Sequence, residues 1–302
     1  KNKKFKLTFL GAALCFALVG CSNDDSVDGT NNNSESGVVS NGEITLTYGS
    51  DLLKHNVQNL NERLNIQGMN GASARSGNTI PQYPYSATDL NNATELTNSG
   101  NVEISNNQIF KLDVEDPSQN GASQIIIKNG GVLFLIGNIS NNTSKIQIEN
   151  GGKLIITGTY AGDKIQPNSG GQVIVAPTGN YTVGNNFNQG SLSNWGITKY
   201  SVSTFDGTLV NNKEITFSNT NGITINGSAK VTNNCKMVFQ HQAKIDASYN
   251  PNNSNSAKFE NNSFIDFKEG FNINGSLELK LNSYTKVTGG TIAYNGKING
   301  ID

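Results

Sequence analysis

Side chains that carry reaction chemistry are scarce in this chain, which has three cysteines and two histidines among 302 residues. His55 and His241 ("FQHQAK") have no nucleophilic Ser or Cys beside them in sequence, so each reads as a surface or packing residue. The only arginines, Arg63 and Arg75, both precede the repetitive part of the chain described below. Paired carboxylates a few ångströms apart are the requirement for glycoside hydrolysis. The one Asp-Asp pair here is Asp24-Asp25, in a polar N-terminal stretch. The densest acidic patch in the repetitive part is "DVED", and Asp113, Glu115 and Asp116 are candidate Ca²⁺ ligands there. Ca²⁺ needs six to eight oxygens, and a solvated edge is the plainer reading of three carboxylates. No P-loop, dinucleotide-binding or zinc spacing occurs, so no cofactor is expected. Binding has better support than catalysis. The stretch "GNNFNQGSLSNWGITKY" (184–200) breaks the repeat and carries the only Trp. Phe187, Trp195 and Tyr200 are candidate glycan-stacking residues among amides that suit hydroxyls; the alternative is a local aromatic cluster covering neighbouring coils.

The elements that must position these residues are short strands. "QIIIKNGGVLFLIG" (124–137), "KIQIENGGKLIITG" (145–158) and "KIQPNSGGQVIV" (164–175) repeat one theme about a Gly-Gly pair. "ITINGSAKV" (223–231) resembles "FNINGSLEL" (271–279) across two longer repeats. A period of about 20–24 residues marks a solenoid. Within the second repeat Ile146 and Ile148 alternate with Gln147 and Glu149, which is a strand with one face buried. The period holds no helical segment, leaving a β-helix in which inward Ile, Leu and Val stack from coil to coil. Gly and Asn supply the corners because both tolerate left-handed backbone. Asn at equivalent corners is also expected to hydrogen-bond to the next coil. Residues 90–302 suffice for roughly ten coils at about 4.8 Å each. This period and corner chemistry resemble the right-handed parallel β-helix of pectate-lyase-like proteins, and the resemblance covers about two thirds of the chain. It implies an all-β fold. It brings no catalytic motif, because the family's Asp-rich and Gly-His-Gly signatures are absent from the sequence.

The N-terminus reads as a targeting segment (1–20), with a basic "KNKKFK" followed by an apolar "LTFLGAALCFALVG". "LVGC" (18–21) resembles a bacterial lipobox, and "SNDD" after it is similar to the acidic stretch of surface-exposed Bacteroidetes lipoproteins. The resemblance implies that Cys21 carries lipid, with an outer-membrane location facing the cell exterior. Asp25-Ser26-Val27 fits that group's O-glycosylation pattern, making Ser26 a candidate. Removing Lys1, Lys3, Lys4 and Lys6 leaves 18 basic against 23 acidic residues. A net negative chain points away from nucleic acid as a partner. Cys15 leaves with the signal, so Cys235 is expected to be a lone buried thiol.

Residues 21–43 read as a lipidated flexible tether. Residues 44–89 read as an N-terminal cap containing one helix, "SDLLKHNVQNLNERL" (50–64), and an irregular segment that includes "PQYPY". "SYNPNNSNSA" (248–257) reads as a loop. One departure from alternation stands out: Phe134, Ile155 and Ile174 fall at the same outward position of three coils. An exposed apolar stripe usually has a cover, either "PQYPY" folding back or a partner. The sequence thus points to a surface lipoprotein with a binding or structural role, most simply toward a glycan or adhesion target. The alternatives are an accessory subunit of an outer-membrane assembly and a polysaccharide lyase or glycoside hydrolase.

Overall fold

A computed structural model describes residues 43–47, 80–97, 99–113, 122–139, 144–226, 229–246, 258–273, 276–279, 283–288, 291–294 and 297–299. The expected lipobox with Cys21, Ser26, the 50–64 helix with His55, Arg63, Arg75, Glu115, Asp116 and the 248–257 loop lie outside these residues.

The chain folds as an all-β, right-handed parallel solenoid. Each coil lays one strand on each of three faces. The first face starts with Gly100–Ile104, Ala122–Ile127, Lys145–Ile148 and Ile165–Pro167; the second runs from Thr94–Glu95 through Val132–Leu135 and Lys153–Ile156 to Lys297–Asn299; the third runs from Asn138–Ile139 through Ile197–Tyr200 to Tyr284–Thr288. Between successive coils pairing is parallel, and in register save for shifts at Gly100/Asn101 and Asn188/Ser191, for example Val132↔Lys153↔Gln172 on the second face. The solenoid has about seven turns, fewer than the roughly ten expected.

The Gly-Gly pairs do two different jobs. Gly130, Gly151 and Gly170 adopt φ of 76, 76 and 77°, a left-handed backbone open to Gly at no steric cost. A Cβ on the following residue, Gly131, Gly152 or Gly171, would sit 2.2, 2.3 or 2.5 Å from the carbonyl oxygen of Ile104, Ile127 or Ile148 in the preceding coil. The second glycine therefore allows close stacking.

The 184–200 stretch, which breaks the repeat in sequence, nevertheless stays within the solenoid. Asn188–Asn194 and Ile197–Tyr200 are strands of an ordinary coil in parallel register with their neighbours. This coil is only shorter: equivalent corner residues are 17 residues apart here, against 22 and 28 further on. A coil tolerates these lengths because corners, not strands, absorb the difference.

The core is a continuous apolar column, with Ile125, Ile127, Ile146, Ile148, Leu154 and Ile156 all fully buried. On the third face it becomes aromatic: Phe217, Phe239 and Phe267 stack with centroids 4.5 and 4.7 Å apart and planes tilted by 7 and 13°. Parallel register forces equal residues on top of one another, and offset stacking of aromatic rings is favourable.

At one inward corner the column changes character. Leu112, Leu135, Ile156 and Val175 give way to Asn194, Asn211, Asn233 and Asn261, all four Asn fully buried. Asn194 Nδ2 donates to Asn211 Oδ1 (2.8 Å), Asn211 Nδ2 to Asn233 Oδ1 (2.8 Å) and Asn233 Nδ2 to Asn261 Oδ1 (3.0 Å). Each of these amides also donates to a backbone carbonyl one coil on, of Glu214, Lys236 and Phe264 respectively. A second ladder beside it runs from Asn262 to Asn234 to Asn212. Buried amides are rarely left unpartnered; stacking supplies the partners along both ladders except at the end of the second, where Asn212 Nδ2 has none.

Two elements were not expected. Ala87–Asn92 is a one-and-a-half-turn helix where an irregular segment was read; Ser86 Oγ accepts from the Asp89 amide while the Asp89 carboxylate accepts from the Ser86 amide. This reciprocal cap was visible as Ser-x-x-Asp. Glu43–Thr47, at the boundary expected between tether and cap, is a strand antiparallel to Tyr284–Thr288. It occupies the third side of the last coil, whose other sides are Thr291–Tyr294 and Lys297–Asn299. An open sheet edge invites pairing with other chains, and here the chain's own N-terminal strand takes that edge.

Candidate functional site

The three aromatic candidates do not converge. Phe187 and Tyr200 point inward and are buried to 1 and 0% exposure. Tyr200 packs against Phe187, Phe205 and Phe217 with centroids 5.5–6.3 Å apart, and its hydroxyl donates to the Thr204 carbonyl at 2.8 Å. Burial pushes the phenol of Tyr200 above its ordinary range. Trp195 instead lies outside, at the corner between the second and third faces. The cause is alternation: Thr198 and Tyr200 face the core while Ile197 and Lys199 face solvent. A glycan platform built from Phe187, Trp195 and Tyr200 is thus overturned, because the sheet backbone stands between two of them and the third.

Trp195 belongs to a second apolar cluster. Phe134, Ile155 and Ile174 do point outward from the second face, and they are buried to 1, 0 and 5% with Ala93, Val132 and Ala176. Their cover is the chain itself, including the "PQYPY" segment. Tyr85 meets Phe134 edge-on at 5.6 Å, Tyr83 meets Trp195 at 5.7 Å, and Trp195 Nε1 donates to the Pro81 carbonyl at 2.8 Å. Leu90 of the short helix closes the cluster. Burial, then the neighbouring Tyr85 and Asp89, raises the Tyr83 phenol above its usual range. The stripe is occupied from within and offers no open docking strip.

This packing has a measurable consequence. Ile155→Lys places an ammonium in a dry cluster and is expected to cost about 2–4 kcal/mol. Thermal unfolding should shift down and residues 80–93 should become protease-sensitive. Unchanged unfolding together with unchanged protease resistance would contradict the cover.

The titratable candidates are dispersed. Asp113 is exposed, directly after buried Leu112, with its two proposed co-ligands outside the described residues. His241 Nδ1 lies 3.2 Å from Glu269 Oε2 at a half-exposed turn, a surface pair of small energetic weight. Among the described residues no group of three or more His, Cys, Asp and Glu is placed to hold a metal ion. Cys235 is buried, as expected, but it is disulfide-bonded and not a lone thiol; its partner lies outside the described residues.

The sequence reading missed the asparagine corner as a repeat, although the signal was present. "NWGITKY", "NNKEITF", "NNCKMVF" and "NNSFIDF" begin at Asn194, Asn211, Asn233 and Asn261. Each opens with the ladder Asn and ends with an inward aromatic of the third face. The position after the ladder Asn is Trp in the first and Asn in the others. The outer ladder accordingly ends at Asn212, and Trp195 takes the next place up.

Comparisons with models of protein families, with curated proteins and with solved structures find no match.

Proposed function

We propose that this protein is a lipid-anchored outer-membrane protein facing the cell exterior, whose solenoid binds a glycan or adhesion target and does not catalyse a reaction. The observation that carries the anchor is the order of basic stretch, apolar stretch, small residue and cysteine ending at Cys21, with the acidic "SNDD" after it. Support for binding over catalysis comes from the titratable groups: among the described residues no group of three or more His, Cys, Asp and Glu is placed to hold a metal ion, and His241 and Glu269 form a surface pair. Since Phe187 and Tyr200 are core residues, recognition falls to the outward polar side chains of the sheets. On the first face Gln147 and Gln166 sit on adjacent strands, and Glu103 lies two strands from Gln147 with Ile126 between them. Parallel strands space such groups at about 4.8 Å, a flat array suited to an extended polymer.

Cys21→Ala tests the anchor. The variant should stay unprocessed or leave the membrane fraction, while protease added to intact cells should remove the wild type. Protection of the wild type until lysis would refute the surface location. A sulfur in thioether linkage to lipid cannot also join a disulfide. The intact mass of the membrane-extracted chain, without reduction, therefore separates acylated Cys21 from a Cys21–Cys235 linkage, and the latter would refute the anchor.

A further inference from the structure

The outward side chains of the third face form two rows whose charges invert when read backwards. In register, Ile197, Glu214, Lys236 and Phe264 make one row, and Lys199, Thr216, Val238 and Asp266 make the row beside it. The first row reads apolar, acidic, basic, apolar; the second reads basic, polar, apolar, acidic. Laid against its own reverse, each row sets acid on base at every charged place. Ile197 is also the most exposed large apolar side chain among the described residues, at 46%. Within one chain these groups are only partly used. Glu214 Oε1 lies 3.7 Å from Lys236 Nζ, and both side chains stay open to solvent. Asp266 lies on its strand between Phe264 and Lys268 and is 5% exposed; Lys268 Nζ holds its Oδ2 at 2.5 Å, while its Oδ1 has no partner. The face is nearly flat, since the Phe217, Phe239 and Phe267 rings beneath it turn by only 7 and 13° from coil to coil.

We infer that two copies of this chain pair through the third face, about a two-fold axis that runs along the strand direction between Glu214–Phe217 and Lys236–Phe239. That rotation reverses the order of the coils and keeps each row opposite itself. Glu214 of each copy then meets Lys236 of the other. Ile197 meets Phe264, Thr216 meets Val238, and Lys199 comes over Asp266. A two-fold contact must be self-complementary, and the inverted charge order of both rows supplies that. The register is also fixed by charge: moved onto the Glu214 strand or onto the Lys236 strand, the axis would set each of these residues against its own copy. Six strands, from Asn180–Val183 to Tyr284–Thr288, make the face about 29 Å long. This is the small end of specific interfaces, so pairing depends on concentration. It needs neither the lipid anchor nor a glycan.

Sedimentation equilibrium of the full chain in density-matched detergent reads polypeptide mass whether or not lipid is attached. The wild type should approach twice the mass of one chain as its concentration is raised to about 100 μM, a range suited to a small interface. Glu214→Lys and Lys236→Glu each place two like-charge contacts across the axis, and each should weaken association about a hundredfold or more. The double variant Glu214→Lys/Lys236→Glu exchanges the signs and should pair as the wild type does. An equimolar mixture of the two single variants should pair as well, because only the mixed pair is complementary; misfolded chains would not be repaired by mixing. A wild type that stays at the mass of one chain leaves the face to another occupant and overturns the pairing. Single variants that pair as well as the wild type, or a mixture that stays at the mass of one chain, overturn the two-fold register.

Discussion

Asn233→Asp should lower the unfolding temperature by roughly 8–16 °C, the shift that about 4 kcal/mol produces in a domain of this size. The substitution changes one atom. Asn233 Nδ2 donates to the carbonyls of Cys235 (3.1 Å) and Phe264 (2.8 Å) and to Asn261 Oδ1 (3.0 Å). An Asp oxygen there faces three acceptors and carries charge in a fully buried column. Each buried polar group left without its partner costs about 1–3 kcal/mol, more when charged. The pH dependence has a definite sign. Burial raises the new carboxyl's pKa in the folded state above its unfolded value of about 3.9. The deficit relative to wild type is therefore smallest below about pH 4 and grows as pH rises through the folded pKa. Thermal or denaturant unfolding of both chains across that range checks it. A deficit independent of pH would mean that the ladder's worth is packing alone.

Ile148→Asp is expected to cost several kcal/mol, because it sets an unpartnered carboxylate between Ile127 and Pro167 in a dry stack. Its neighbour Glu149 points out of the coil and is half-exposed, so Glu149→Lys should stay within about 0.5 kcal/mol of wild type. Denaturant midpoints of the two variants read the difference directly. Similar losses for both would overturn the strand register of that coil. A local loss at Ile148 should also loosen adjacent coils first, since solenoid stability is a sum of nearest-neighbour interfaces.

Much of this architecture is local in sequence, and what is local was legible. Ile146, Gln147, Ile148 and Glu149 alternate with a period of two. The Gly-Gly pairs recur because every coil meets the same steric demand from the coil before. A solenoid repeats one contact set, so a single repeat read correctly yields the next. The same logic led to the expectation of hydrogen-bonded Asn corners, and the four-fold Asn motif from Asn194 to Asn261 could have located them, had spacings of 17 to 28 residues been admitted. The fixed period that revealed the first coils concealed the later ones.

Inward against outward is a property of one strand, and the sequence alone settled it for Phe134, Ile155 and Ile174. It also settled that the chain is an all-β parallel solenoid with Gly and Asn corners. Only the tertiary structure decided what lies over an outward residue and what an inward aromatic touches. Trp195 and Tyr200 are five positions apart, yet one packs under Tyr83 outside the sheet and the other stacks on Phe217 inside it. The end of the solenoid that receives Glu43–Thr47 was likewise beyond local reading. Antiparallel pairing with Tyr284–Thr288 is a contact between distant parts of the chain, and no periodicity within either segment encodes which edge a free strand will complete.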